Sequence, residues 1–470
     1  MTDRPVILRL DAAAAQDAGR FLPGPVSAII ELWPSRGTPP SEAPAALRDL
    51  PTGDLKLLAL GRSAEIDHHP ASAVAGRTGL GQAVLIPGLV NAHTHLDLTH
   101  IGPRPGLVKS VPGAPADFRA FTDLVRAQRL EDESAIEASV RVGAFNLLAG
   151  GVVAAGDIAG APKGRPQTAP VRAMAAAGLA GVSFVEFFAM GRLADLARVQ
   201  VPAALERLAQ DCAGSSVRAG LSPHAPYTVP PAMYRWASDL ARAHNLAVST
   251  HAAETHEEAR FIAHGDGSFA DFLREVKAWD DALIAPGPDA IGAGRSPVEH
   301  LAATWLEREA EHRGAVSLVH LNQLSDADID RLARLNIVAV YCPRASAYFH
   351  ASESFGAHRY RDLLSAGVPV AVGSDSIINL PPDAHGRASL STLHDLRLLR
   401  ARDGADASGL LAMATTMGAR ALGLDPARFV FREGGALAGI CAIACDEPPE
   451  SPSAIFSSTA DPMPVALGRA

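Results

Sequence analysis

Five histidines and two carboxylates in this chain each stand at the end of a short apolar run or just past it. The first pair is His93-Thr94-His95. Val84-Leu85-Ile86-Pro87-Gly88-Leu89-Val90-Asn91-Ala92 precedes it and Leu96-Asp97-Leu98 follows. An apolar run of this length reads as a buried strand. In a strand, residues i and i+2 point to the same side. The two imidazoles therefore project together, which is the spacing needed to grip one metal ion. Four more runs end in the same way. They are Ser222-Pro223-His224, Ser249-Thr250-His251 with Glu254 three residues later, Leu318-Val319-His320, and Val372-Gly373-Ser374-Asp375.

Three histidines and one carboxylate suit Zn²⁺ or Fe²⁺. His93, His95, His251 and Asp375 are the expected ligands of one divalent metal, zinc before iron, with an open position for water. A bound dication lowers the pKa of that water from ~15.7 towards ~7. Glu254, in the turn leaving its strand, can reach the pocket without binding the metal. That is the place of an acid/base that hands a proton to the substrate. His320 would orient the nucleophilic water or move its proton, and His224 would contact the substrate. Asp375 counts as both ligand and catalytic residue.

Such residues need a frame that gathers strand ends at one point. From Pro87 to about Leu424, eight strand-like runs alternate with helical, Ala/Leu/Arg-rich segments. The strands fall at 85–95, 151–158, 180–188, 217–223, 247–251, 315–320, 337–342 and 368–375. Helices are predicted over 134–148, 230–243 and 326–335, the last opening on a Ser325-x-x-Asp328 cap. Repeated strand–helix units imply a parallel sheet. Eight of them predict an α/β fold, a closed (β/α)8 barrel of TIM type, with its active site at the C-terminal strand ends. Residues 1–86 and 425–470 read as short β pieces broken by Pro, Gly and Ser. They are expected to pair as a small β-sandwich beside a barrel domain of 87–424. The Pro- and Ser-rich segment 448–470 reads as a loose tail.

Composition bounds the function. At 470 residues, 48% apolar and 20% charged, the chain has the make-up of a globular protein with a large core. The net charge is −9 with no basic run, so a nucleic-acid partner is not expected. No apolar stretch approaches ~20 residues and the N-terminus is no secretory signal, so neither a membrane helix nor export is expected. Four scattered cysteines, Cys212, Cys342, Cys441 and Cys445, do not make a disulfide framework. The reducing cytoplasm fits these features.

The run from Pro87 to His95 resembles the first strand of the amidohydrolase superfamily. The remaining motifs resemble its cytosine-deaminase-like and chlorohydrolase-like branch. His224 fits a Pro-His-Ala-Pro-Tyr-Thr motif, His251 with Glu254 a His-x-x-Glu, and His320 the strand-six histidine. Cys342-Pro343-Arg344 fits the Cys-Pro-Arg after strand seven, and Gly373-Ser374-Asp375 fits the strand-eight aspartate. The segment from Ala414 to Leu424 resembles the helix that closes the barrel. The branch mostly uses one metal, and no lysine here is placed to bridge two. Where the branch continues Cys-Pro-Arg with Ser-Asn, this chain has Ala345-Ser346-Ala347-Tyr348-Phe349-His350. Those residues either shape a different pocket or pack. His68, His69, His100, His244, His256 and His264 are expected at the surface, and His385 and His394 carry no assignment.

The resemblance implies a metal-dependent hydrolytic deaminase acting on an amino-substituted heterocycle, such as a purine or nucleoside-like molecule. Aminodeoxyfutalosine is one candidate, suggested by relatives with a similar Cys-Pro-Arg region. Metal-bound hydroxide would attack the ring carbon that bears the amine, and Glu254 would protonate the neighbouring ring nitrogen. Dechlorination of a triazine or hydrolysis of a cyclic amide needs the same residues around the metal, so both stay open. A non-catalytic scaffold on the same barrel would have lost metal ligands, and here all four and Glu254 are present. Relatives are often dimers or tetramers, so a homodimer or homotetramer is the assembly implied.

Overall fold

The run predicted as one strand over 85–95 is two. Ala83–Pro87 pairs antiparallel with Gly439–Ala444 in one sheet, and Leu89–Thr94 opens another. This is seen in a computed structural model, which describes residues 4–34, 43–109, 118–308 and 315–468. The break falls at Pro87-Gly88. Pro87 has no N–H with which to continue a ladder. A Cβ on Gly88 would stand 2.5 Å from Val153 Cγ2, so glycine is required where the chain crosses the second barrel strand.

The barrel sheet has eight parallel strands, each paired with the next in chain order. They are Leu89–Thr94, Val152–Ile158, Ala180–Phe187, Val217–Pro223, Ala247–Ala252, Val316–His320, Val338–Tyr341 and Val370–Val372. These are the eight predicted runs with ends moved by a few residues. First and last meet through a parallel bridge between Thr94 and Asp375, where Asp375 N donates to His93 O at 3.0 Å. The barrel thus closes through the backbone of the candidate ligands themselves. Gly373 permits the approach, since a Cβ there would lie 2.8 Å from the Cβ of His93. Asn91 fastens the same seam. Its Nδ2 donates to Ser374 Oγ at 2.6 Å, and its Oδ1 accepts from Ser374 N at 3.1 Å.

Helices cover the barrel with their apolar faces. Glu133–Ala149 buries Ile136, Val140, Ala144, Leu147 and Leu148, and Asp132 caps its start by accepting from Ala135 N at 3.0 Å. Asp326–Leu332 opens on the predicted reciprocal cap between Ser325 and Asp328, and ends three residues short of its predicted end. Among the described residues no helix is long and apolar enough to cross a membrane.

Both chain ends share the other sheet. Around it Phe21–Pro34 pairs with Thr52–Arg62, then come Met463–Gly468, Gly439–Ala444, Ala83–Pro87 and Val6–Gln16, which pairs back onto Phe21–Pro34. One continuous sheet therefore curls around its own core, which contains Leu10, Val26, Ile30, Leu57 and Ile440. The expectation of a loose tail over 448–470 is corrected. Ala454–Ser457 is helical, and Met463–Gly468 forms a strand between two others, with Leu467 N donating to Pro51 O at 2.9 Å. Open ladder positions on both neighbours outweigh the tail's Pro- and Ser-rich composition. All four cysteines are free thiols, and Cys441 is buried in this sheet.

Candidate active site

His93 lies on the first barrel strand and His95 one residue beyond its end. Their ring centroids are 4.9 Å apart, edge to face. His251, on the fifth strand, lies 5.0 Å from His93 and stacks 5.6 Å from His95. Asp375 follows the eighth strand, with Oδ1 3.7 Å from His93 Nε2 and 3.4 Å from His95 Nε2. Potential ligand atoms of the three histidines fall within 4.8 Å of one another. The four residues expected to share a metal are therefore brought together.

Their electronic state fits a cation. Burial pushes the His93 imidazole down to about 3 and His251 to about 4, and it drives His95 well down too, so all three are neutral. His93 is fully buried, yet neither of its ring nitrogens has a hydrogen-bond partner, and His95 Nδ1 has none either. His251 Nδ1 donates to His224 O at 2.9 Å, which leaves Nε2 to the cluster. Asn379 Nδ2 donates to Asp375 Oδ2 at 3.1 Å and orients that carboxylate. Buried lone pairs without donors are costly, and a divalent metal satisfies this set.

Glu254 and His320 meet beside this cluster, with Oε1 3.5 Å from Nε2. Both are buried, and His320 Nε2 has no hydrogen-bond partner. Burial, then the charges of Asp375, Glu258 and Glu257, hold the Glu254 carboxyl well above the usual carboxylate range. Burial pushes His320 well down, with Asp375 opposing. The backbone is strained where these side chains are aimed. Ala253, His320, Leu321 and Asp375 all have left-handed φ, at 53°, 76°, 52° and 58°. Such conformations persist only where the surroundings enforce them.

A cavity of about 560 Å³ opens onto the site, a size that suits a small organic ligand. His95, His224, His251, Glu254 and Asp375 line its polar end. Phe118, Phe121, Phe188, Tyr227, Phe269 and Phe272 supply aromatic wall. His224, after the fourth strand, is fixed by a 2.8 Å hydrogen bond between Nδ1 and Thr228 Oγ1, and its ring lies 4.8 Å from Phe188. His93 and His320 stand deeper, 0% and 1% exposed.

The reading of polar strand ends passed over Asp157 and Glu186, each one residue before the end of the second and third strands. The same strand-end rule would have found them. Glu186 lines the cavity together with Arg129, which no strand pattern announces. Arg129 Nε donates to Asp97 Oδ2 at 3.0 Å, and its Nη1 lies 3.5 Å from Glu186 Oε2. Burial pushes Glu186 up to about 7 against the pull of Arg129.

The segment after Cys-Pro-Arg packs. Phe349 sits 5.2 and 5.0 Å from the Phe118 and Phe121 rings, and so braces the cavity wall from behind. Tyr348 Oη donates to Arg104 O at 2.9 Å, and His350 Nδ1 meets Glu353 Oε1 at 3.1 Å. Arg344 is structural, pairing with Asp395 at 2.8 Å and donating to the carbonyls of Ser389 and Ser391. His100, His256 and His264 are exposed, and His394 pairs with Asp461 at 2.7 Å.

An eight-stranded parallel barrel with buried histidines and an aspartate gathered at the C-terminal strand ends defines a class of metal-dependent hydrolase scaffolds. Residues 84–427 match the amidohydrolase family, and the chain belongs to it. The chain is 29% identical, over 68% of its own length and 69% of the relative's, to aminodeoxyfutalosine deaminase of Deinococcus radiodurans. Its fold is similar to that of Helicobacter pylori aminofutalosine deaminase in complex with methylthio-coformycin, with a TM-score of 0.69 at 18% identity over 96% of this chain and 97% of that one. Atrazine chlorohydrolase from Arthrobacter aurescens TC1, complexed with zinc, is similar with a TM-score of 0.65 at 16% identity over 98% and 96% of the two chains.

Proposed function

We propose that this chain is a metal-dependent hydrolytic deaminase that releases ammonia from an amino-substituted heterocycle of purine or nucleoside type. The observation that carries the reading is the pairing of Glu254 with the His93, His95, His251 and Asp375 cluster. A buried carboxyl whose surroundings favour the protonated form lines the same cavity as three of the four candidate metal ligands, His95, His251 and Asp375. The deaminase names of the Deinococcus and Helicobacter proteins support the reaction class. The aromatic walls of the cavity suit a flat ring.

In this reading His93, His95, His251 and Asp375 hold one divalent metal, zinc in the first place. When bound, the metal supplies Lewis acidity and a water nucleophile ionised near neutral pH. Glu254 carries a proton on its carboxyl and gives it to the ring nitrogen next to the attacked carbon, and afterwards helps the amine leave as ammonia. His320, 3.5 Å from Glu254, steers the nucleophile and the proton it sheds. His224 holds the ring edge. Residues 87–424 form the catalytic domain, and 1–86 with 425–470 form the β domain beside it.

An ammonia-release screen over aminopurines, aminopyrimidines, pterins and aminotriazines, with chlorotriazines and cyclic amides in parallel, tests the reading. Ammonia from a purine or nucleoside is expected. Turnover of only the chlorotriazines or cyclic amides replaces deamination with hydrolysis on the same scaffold. For the deaminated substrate, His224→Ala should mainly raise KM and His320→Ala mainly lower kcat.

A further inference from the structure

Glu186 is a cavity residue to which the chemistry above gives no task. It stands at the end of the third barrel strand, and its side chain is 2% exposed. A hydrogen bond from the Ala161 backbone holds the carboxylate, while Oε2 has no hydrogen-bond partner. The nearby cation does not fill that place. Arg129 Nη1 lies 3.5 Å away, beyond a good charge-assisted hydrogen bond, and its Nε is committed to Asp97 at 3.0 Å. One carboxylate oxygen of Glu186 and ring nitrogens of His224 and His251 fall within 4.8 Å of one another, so the carboxylate reaches the polar end of the cavity. A carboxylate oxygen left without a donor in a buried wall is expensive, and binding sites are where such groups find their partner in the ligand.

We infer that Glu186 is a substrate-recognition residue whose carboxylate accepts a hydrogen bond from an O–H or N–H donor on the bound heterocyclic substrate. The inference rests on the deaminase reading. Glu254 and His320 group with Asp375, whereas Glu186 groups with His224 and His251. Three acids, Asp97, Asp157 and Glu186, stand around the single guanidinium of Arg129, and Asp97 also acts on the charge of Glu186. With Arg129 already committed to Asp97, the acid Glu186 favours a neutral donor over an anionic substituent at the same place.

The test is a set of double-mutant cycles between protein and substrate. Wild type and Glu186→Met are assayed by ammonia release, with metal content measured for both. One arm removes hydroxyl donors, comparing adenosine with 2′-deoxy- and 3′-deoxyadenosine. The other removes an amine donor, comparing 2,6-diaminopurine with adenine. In wild type, losing the recognised donor should raise KM about ten- to hundredfold, and in Glu186→Met the same loss should change little. The arm that shows this coupling says whether the donor is a hydroxyl or an amine. If Glu186→Met fails to fold, Glu186→Gln, near-isosteric and uncharged, carries the same cycles with a weaker coupling of about threefold or more. Equal KM penalties in variant and wild type across both arms would overturn the inference and leave Glu186 as a counter-ion of Arg129. Failure of the wild type to release ammonia from any of these compounds would overturn the deaminase reading as well.

Discussion

Glu258 grips the backbone of Glu254: its Oε2 accepts from Glu254 N at 2.8 Å, while its Oε1 accepts from Ala253 N at 2.9 Å. Ala253 has a left-handed φ of 53°, so this buried carboxylate holds open the turn that aims Glu254 at the cavity. Burial pushes Glu258 from 4.5 up to about 7, with the three backbone N–H groups at its end of the helix opposing. A raised carboxyl pKa means that the folded state binds more protons than the unfolded one between pH 4.5 and about 7. Stability from this group is therefore present at the acid end of that window and lost as pH rises through it. Glu258→Gln cannot ionise, so its thermal midpoint should depend less on pH than that of wild type from about pH 5 to about pH 8. Its amide also turns a donor towards one of the two N–H groups, so kcat should fall while metal content holds. Parallel pH curves for the two proteins would contradict the assignment.

The metal should bind in about one equivalent per chain when the protein is purified without chelator. His93 and His95 sit next to the seam where Asp375 N meets His93 O, so metal binding and barrel closure are coupled through the same residues. Removing the ion should lower the thermal midpoint, and re-adding Zn²⁺ should restore it. A His93→Ala/His95→Ala double variant should lose the ion, as measured by elemental analysis. Retention of full metal content would sink the ligand assignment.

Glu254→Gln keeps the size of the side chain and removes its proton. A well-placed acid/base contributes about 10²–10⁴ in rate, and kcat should fall by that range with metal content unchanged. Loss of the ion in step with activity would make Glu254 a ligand instead.

How much of this could be read beforehand divides along physical lines. The eight strands were legible because a strand buried on both faces must be apolar along its whole length, and each such run was bounded by polar text. The gathering of the candidate ligands was legible because barrel geometry carries every strand end to one face, so His93, His251 and Asp375, far apart in the chain, could be expected together. What strand patterns do not encode was missed. Arg129 follows a helix, Phe118–Gln128, and reaches the cavity only through tertiary packing. The last strand, Met463–Gly468, looks like tail in isolation and is ordered by two neighbours more than 20 and 400 residues away in sequence. The break at Pro87-Gly88 was visible as residue types, but its meaning depends on Val153 lying across it.

His358 should prove to be the residue that positions His320. His320 and Leu321 both have left-handed φ, an unfavourable pair that turns the imidazole towards Glu254. His358 Nε2 donates to the His320 carbonyl at 2.8 Å, and its ring stacks 3.6 Å from that of Tyr341. Burial pushes His358 down to about 4, so its single ring proton sits on Nε2 to serve the carbonyl. His358→Phe keeps a ring for the stack and deletes the donor. A buried carbonyl left unpaired costs ~1–3 kcal/mol, and part of that should appear as relaxation of the strained turn. The expected result is a lower kcat with KM and metal content close to wild type. His358→Gln, which offers an amide N–H at similar reach but no ring, should recover part of kcat while remaining less stable. If instead the two variants lose kcat equally, or if KM moves and kcat does not, His358 is packing for Tyr341 and does not set the orientation of His320.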